Sequence, residues 1–152
     1  MKIRIILAYL GFTLMLTSAS PALAGQIVGI GGLCLDIKGG AGKGNPVIVY
    51  SCRSGALNQT WYRHANEIRS ADGYCLDQKG GEGQGNKVIA WPCHNKANQQ
   101  WRWFNDGTIR TNSGNFCLDV RGGKAVSGAE VILWPCKSGA ANQRWKFRGP
   151  SG

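Results

Sequence analysis

Apolar and polar side chains alternate over short stretches of this chain, and glycine-rich segments separate these stretches. Beyond about residue 25, no segment repeats apolar residues at helical spacing. Alternation with a period of two, bounded by turn residues, is typical of β-strands. Twelve strands are predicted, at residues 26–30, 33–37, 46–52, 60–63, 67–70, 74–78, 87–93, 100–104, 108–111, 116–121, 130–136 and 144–147.

The predicted strands fall into three copies of one pattern, at approximately 25–64, 65–106 and 107–148. Each copy contains Cys-Leu-Asp, an aromatic residue two positions before a second Cys, and then Asn-Gln-x-Trp. A period that preserves polar as well as apolar positions indicates repeated structural units, each with its own polar site. Three sets of four strands that close one barrel bury a common apolar face without long exposed edges. We therefore predict an all-β domain, a β-trefoil.

Six cysteines allow fifteen complete pairings, but the repeats favour one bridge within each copy. The predicted bridges are Cys34 with Cys52, Cys75 with Cys93, and Cys117 with Cys136. We expect each bridge to stabilise the fold by about 3 kcal/mol, because each closes a loop of similar length.

The same alternation places an acid and an aromatic ring on the disulfide face of each repeat. If each bridge joins directly opposed residues, the predicted opposed pairs are Asp36 with Tyr50, Asp77 with Trp91, and Asp119 with Trp134. Opposed Cβ atoms lie about 4.5–5.5 Å apart, so both side chains of a pair can touch one small ligand.

The opposite face of these strands is predicted to form the common core. Its predicted members are Leu35, Leu76, Leu118, Val47, Val49, Val88, Ala90, Val131 and Leu133, together with Trp61, Trp101 and Trp145. Trp103 has no aromatic or apolar equivalent at Arg63, and we expect it to pack on the surface.

A carboxylate, an amide and an aromatic face form a combination suited to a sugar, whose hydroxyls need donors and acceptors and whose C–H patch packs on a ring. The predicted hydroxyl acceptors are Asp36, Asp77 and Asp119; the platforms are Tyr50, Trp91 and Trp134; the donors are Asn58, Asn98 and Asn142. Gln59, Gln99 and Gln143 are expected to hold the neighbouring Asp carboxylates.

This series of motifs resembles the ricin-type lectins, the Gln-x-Trp β-trefoils, over essentially all of residues 25–152. The resemblance implies a calcium-independent binder of galactose- or xylan-type sugars, in which the Asp, aromatic, Asn and Gln positions form the pocket. It also implies occurrence as a targeting subunit of a toxin or as a module of a glycoside hydrolase.

Two departures from the family pattern leave the preferred sugar open. Some family sites have Gln two residues before the aromatic, where this chain has Ile48, Ile89 and Ile132. The third repeat has Gly128-Ala129 where the others have Gly-Asn, and its loop is one residue longer, so we expect it to bind differently.

The first residues resemble a secretory leader. Lys2 and Arg4 precede an apolar run over 5–16, and Ala22-Leu23-Ala24 follows. We predict a signal peptide at 1–24 and export to the extracellular space or periplasm. Removing Lys2 and Arg4 from the 18 basic residues leaves 16 against 8 acidic ones, a net charge of +8.

The leading hypothesis is a monomeric secreted lectin whose partners are glycans, without nucleic-acid binding or membrane insertion. No cofactor or metal is expected, because His64 and His94 occupy unrelated repeat positions without partners at metal-ligand spacing. Nor is an enzyme expected, because paired carboxylates would have to come from different repeats. The alternative is a basic trefoil that binds a protein or polyanion surface.

Overall fold

The computed structural model describes residues 23–149 and contains the twelve strands that the alternation predicts. The strands are β1 (Gln26–Val28), β2 (Cys34–Ile37), β3 (Val47–Tyr50), β4 (Trp61–His64), β5 (Glu67–Ser70), β6 (Tyr74–Gln78), β7 (Val88–Pro92), β8 (Trp101–Trp103), β9 (Ile109–Thr111), β10 (Phe116–Val120), β11 (Val131–Pro135) and β12 (Lys146–Arg148). Short 3-10 helices lie at Ile30–Gly32, Leu57–Gln59, Ala97–Gln99, Arg121–Gly123 and Ala141–Gln143. The predicted signal peptide falls almost entirely outside the described residues.

The strands form three four-stranded antiparallel sheets with the orders β12-β1-β2-β3, β4-β5-β6-β7 and β8-β9-β10-β11. The first sheet joins the two ends of the domain, because Gln26 on β1 pairs with Arg148 on β12. Each sheet repeats one topology, and the predicted β-trefoil is confirmed.

The predicted core is also confirmed. All of its aliphatic members and the three repeated tryptophans are buried in one cluster. The indole N–H groups of Trp61, Trp101 and Trp145 donate to the carbonyl oxygens of Leu35, Leu76 and Leu118, at 3.0, 2.9 and 2.9 Å. Each tryptophan therefore fastens the barrel to the strand that carries the aspartate of its own repeat.

One disulfide lies within each repeat, as predicted, but the predicted register is wrong. Cys34 is bonded to Cys52, with 5.1 Å between the Cα atoms, yet the residue opposite Cys34 in the ladder is Tyr50. Asp36 therefore faces Ile48 and lies diagonally from Tyr50. The other repeats have the same two-residue offset, which sets Asp77 opposite Ile89 and Asp119 opposite Ile132.

The loop inside each repeat crosses onto the next repeat. These crossover loops, at 38–46, 79–87 and 121–130, connect β2 to β3, β6 to β7, and β10 to β11. The Gly44 N–H donates to Ala90 O at 2.7 Å, Gly85 to Leu133 at 2.7 Å, and Gly128 to Val49 at 2.8 Å. The first loop thus covers the second repeat, the second covers the third, and the third covers the first.

The start of each crossover loop requires glycine. Gly39 and Gly40 have φ values of +79° and +88°, a region that residues with a Cβ rarely adopt. The equivalent pairs in the other repeats also have positive φ. Among residues 23–149, no helix is long and apolar enough to span a membrane.

Candidate functional site

A buried aspartate forms the floor of each candidate site. Asp36, Asp77 and Asp119 are 3%, 3% and 4% exposed. One oxygen of each carboxylate, Oδ2, accepts a hydrogen bond from the side-chain amide of the glutamine in the Asn-Gln motif, at 2.7, 2.8 and 2.8 Å. These donors are Gln59, Gln99 and Gln143, which hold the carboxylates as the sequence predicts.

The other carboxylate oxygen remains available to a ligand. Within residues 23–149, Gln78 Oε1 is the only fully buried side-chain oxygen or nitrogen without a hydrogen-bond partner. No protein donor contacts Oδ1 of the three aspartates in the described part of the chain, so each Oδ1 keeps contact with solvent. Each aspartate thus has one oxygen fixed by the protein and one free to accept a hydroxyl.

A 3-10 turn positions the asparagine and the glutamine of each repeat. From this turn the glutamine amide reaches the aspartate, and the glutamine Oε1 accepts from the backbone N–H of the residue after the second Cys, at 2.8–2.9 Å. Strand β2, β6 or β10 is thereby joined to the segment that follows the aromatic residue.

The predicted asparagine donors are partly occupied by the protein. Asn98 donates to Asp77 at 2.9 Å, and Asn58 donates to the Ile37 carbonyl at 3.1 Å. Asn142 donates to Asp119 at 3.0 Å and to the Val120 carbonyl at 3.1 Å. An amide nitrogen carries two hydrogens, so Asn142 offers a ligand its acceptor Oδ1 instead of a donor.

Open cavities lie over the aspartates of the first and third repeats. The first, about 500 Å³, is lined by Asp36, Ile48, Tyr50 and Asn58 among others. The third, about 460 Å³, has the equivalent lining of Asp119, Ile132, Trp134 and Asn142. Tyr50 is 40% exposed and Trp134 is half-buried. Both cavities bring an acid, an amide, an isoleucine and a ring together, although acid and ring are diagonal neighbours.

The second repeat has the same residues, but the cation over its ring comes from another repeat, whereas in the first repeat the cation over Tyr50, 5.5 Å from the ring centre, is the repeat's own Arg53. The Lys43 ammonium, from the crossover loop of the first repeat, lies 4.6 Å from the centre of the half-buried Trp91 ring. A cation in this position is attracted to the ring face. The cavity beside Asn98 is lined by neither Asp77 nor Trp91.

A basic residue follows the second Cys in all three repeats, a site feature that the sequence analysis missed. Arg53 lies 3.5 Å from Asp36, and His94 lies 3.4 Å from Asp77. Lys137 lines the third cavity beside Asp119. The signal was present in the sequence as a fourth feature that all three repeats share.

Burial governs the protonation of two of the acids. Loss of hydration raises the pKa of Asp36 and Asp119 above the ordinary value of 3.8, although hydrogen bonds from Gln59 and Gln143 oppose the rise. Both carboxylates therefore take up a proton at a higher pH than an exposed aspartate. No cluster of three or more His, Cys, Asp or Glu side chains suited to a metal ion occurs within the described residues.

This fold is a β-trefoil that repeats one constellation of Asp, aromatic, Asn and Gln in each third of the domain. A family model described as "Ricin-type beta-trefoil lectin domain" matches residues 23–145. The chain belongs to this family of carbohydrate-binding lectins. No curated protein sequence matches it.

Several solved structures have the same fold. The designed three-fold symmetric protein ThreeFoil is 28% identical with a TM-score of 0.72, over 82% of this chain and 96% of ThreeFoil. The hemolytic lectin CEL-III is 31% identical with a TM-score of 0.72, over 83% of this chain and 30% of CEL-III.

A third similar structure is a non-toxic homologue of type II RIPs from Momordica charantia (bitter gourd), solved in complex with α-methyl-D-galactoside. It is 28% identical with a TM-score of 0.72, over 86% of this chain and 49% of that protein. The chain thus spans about half of the Momordica protein and less than a third of CEL-III.

Proposed function

We propose that this protein binds galactose- or xylan-type glycans through its first and third pockets, while Lys43 keeps the second closed. The observation that carries the proposal is the pairing, in two open cavities, of a free aspartate Oδ1 with an aromatic ring. The α-methyl-D-galactoside complex of the Momordica homologue supports a galactoside as ligand.

The proposal gives a role to each part of the pocket. The sugar ring lies on Tyr50 or Trp134, and one of its hydroxyls donates to the free Oδ1 of Asp36 or Asp119. The basic residue after the second Cys donates to a further hydroxyl. Isoleucine at the floor offers no hydrogen bond, so selectivity depends on the hydroxyls that face the acid.

The direct test of this function is binding of the mature chain to a sugar panel. Calorimetry should detect weak binding of free galactosides or xylo-oligosaccharides, and surfaces coated with the same sugar should retain the protein about 10²–10⁴-fold more strongly through two-site attachment. Absence of binding to every neutral sugar, with the fold intact by circular dichroism, would refute the proposed function.

Removing Lys43 should open the second pocket. All three repeats place a basic residue near the aspartate, so His94 does not distinguish the second site. Lys43 does, because it reaches Trp91 from the crossover loop of another repeat, whereas the cation over Tyr50 is the first repeat's own Arg53. We expect Lys43→Ala to expose the Trp91 face and add a third binding event per chain, counted by titration calorimetry.

The matched control is Gln84→Ala, which truncates the equivalent residue of the second crossover loop. Gln84 brings no charge to the ring of the third repeat, so this variant should keep the wild-type number of sites. Equal stoichiometry in Lys43→Ala and wild type would show that Lys43 does not close the pocket.

Sugar binding should weaken on acidification at a pH above 3.8, because protonated Asp36 and Asp119 lose acceptor strength. Since their folded pKa values are raised, the folded state binds more protons than the unfolded state between 3.8 and the folded pKa. These two groups therefore destabilise the fold as the pH rises through that window, and acid does not unfold the protein through them. Calorimetry and thermal unfolding over pH 3–7 would separate the two effects; parallel loss of binding and fold contradicts this prediction.

Export of the chain is part of the proposal, supported by the leader-like sequence and by three disulfides, which persist in oxidising compartments. A binding role without catalysis is supported by the family. We further propose a monomeric domain; a toxin or hydrolase partner is supported by the larger size of two structural relatives.

A further inference from the structure

The open end of the barrel carries a charged residue where the three-fold pattern calls for an apolar one. Two residues after each core tryptophan, on the same face of β4, β8 and β12, come Arg63, Trp103 and Phe147. Opposite them in the ladders lie Ile68, Ile109 and Ile27, all buried. Five of the six side chains in this last layer are apolar.

The three equivalent side chains meet one another. The Arg63 guanidinium lies 3.7 Å from the centre of the Trp103 ring and 5.9 Å from that of Phe147. The two rings pack edge to face at 6.5 Å. Trp103 and Phe147 also pack against the core, so the expectation that Trp103 packs on the surface is only partly met. Their mutual contact places all three on the pseudo-three-fold axis.

The face of the Arg63 guanidinium stacks on the Trp103 ring, but the N–H groups at its edge have no partner among residues 23–149. Among residues 23–149, no carboxylate lies within ion-pair distance of Arg63, and its side chain makes no hydrogen bond to the protein. The residue is nevertheless exposed, and partial burial lowers its pKa. A guanidinium stacked on a ring directs its N–H groups outward in one plane, the geometry that accepts a two-oxygen acid group.

The surroundings of Arg63 are basic and concave. A cavity of about 670 Å³ is lined by Arg63 and Trp103 and by the exposed Arg144 and Lys146. Asp106 also lines it, but that carboxylate is committed to Arg110 at 2.7 Å and to Thr108 at 2.6 Å. An unpaired positive charge therefore remains over an aromatic floor.

We propose that the barrel mouth, defined by Arg63, Trp103, Phe147, Arg144 and Lys146, binds the sulfate or carboxylate group of an acidic glycan. The acid group takes the free edge of Arg63, and the C–H face of its sugar packs on Trp103. This site is separate in residues from the aspartate pockets, so it adds recognition of charge to recognition of neutral hydroxyls. It rests on the proposed function only in that the ligand is a glycan.

The test compares a sulfated heparin tetrasaccharide and a galacturonic acid trisaccharide with neutral oligosaccharides of equal length, by calorimetry at constant ionic strength. Wild type should bind at least one acidic probe. Arg63→Met keeps a side chain of similar volume over Trp103 but removes the paired N–H donors of the guanidinium. It should weaken that binding about tenfold or more. Arg63→Lys, which keeps the charge alone, should lie between the two.

Arg148→Met is the matched control, because it removes the same charge from the neighbouring position of β12, on the other face of the strand. It should change acidic-probe binding little. Neutral-sugar binding by Arg63→Met reports its folding and should equal that of wild type, so failure here is distinguishable from failure of the aspartate pockets.

The sulfated and carboxylated probes identify which acid the site takes, and preference for either supports the proposal. Equal weakening by Arg63→Met and Arg148→Met would show a diffuse charge effect and overturn it. So would binding of neither acidic probe, or displacement of the bound probe by single-stranded RNA at equal charge concentration.

Discussion

Replacing both Asp36 and Asp119 by Asn should abolish retention of the protein on a glycan surface. Each substitution keeps the volume of the side chain but leaves a single acceptor oxygen, which the glutamine N–H occupies, and puts an NH2 donor where the ligand needs an acceptor. A lost charge-assisted hydrogen bond costs about 1.5–3 kcal/mol, which corresponds to about 10- to 100-fold in affinity for each pocket. Loss of both pockets also removes two-site attachment, so the combined effect exceeds either single effect.

Asp77→Asn is the internal control for this experiment. It makes the same chemical change at the equivalent position, but in the pocket whose ring is covered by Lys43. Retention on the glycan surface should stay within about twofold of wild type. A loss in Asp77→Asn equal to that in Asp36→Asn would show that the second pocket is active and would contradict the two-pocket proposal.

Removing the three disulfides together should unfold the domain. Each bridge closes a loop with a sequence separation of 18 or 19 residues, and its loss destabilises the fold by about 3 kcal/mol in the chain-entropy model. Domains of this size are stable by about 5–15 kcal/mol in total, so the three losses together approach the whole stability.

The measurement is urea unfolding of Cys→Ala pair variants, followed by tryptophan fluorescence. Alanine avoids an unpaired hydroxyl at Cys34, Cys75 and Cys117, which are fully buried. Each single pair variant should remain folded with a lower midpoint, while the variant without any bridge should lack a cooperative transition. A cooperative transition in that variant would show that the aliphatic and tryptophan core suffices.

The sequence predicted the strands, the core and the disulfide pairing because the same pattern occurs three times, and each copy supports the assignment made in the other two. The register could not be predicted from the spacing of cysteines alone. A disulfide needs Cα atoms about 5 Å apart, and a cysteine beyond the end of a strand can reach that distance because it is not held at the spacing of the ladder. Tyr50 lies opposite Cys34, and Cys52 lies just beyond the end of β3.

Long-range contacts supplied what the repeat pattern lacked. The three repeats have equivalent Asp, aromatic, Asn and Gln residues, so the sequence of the second repeat alone does not distinguish its site from the other two. The difference that we propose for it comes from Lys43, which lies over the Trp91 ring and is 48 positions before Trp91 in the sequence. Likewise, the meeting of Arg63 with Trp103 and Phe147 requires the barrel to close before any of these residues are neighbours.

Because each loop crosses onto the following repeat, ligand contact and access to the pocket depend on residues that are far apart in the sequence. The residues that contact a ligand belong to one repeat, whereas the side chain that controls access to them belongs to the preceding repeat. A mutation in one loop can therefore abolish or change binding at one pocket without altering the residues that contact the ligand there. A protein with three near-identical repeats can in this way acquire three different ligand specificities while its fold stays the same.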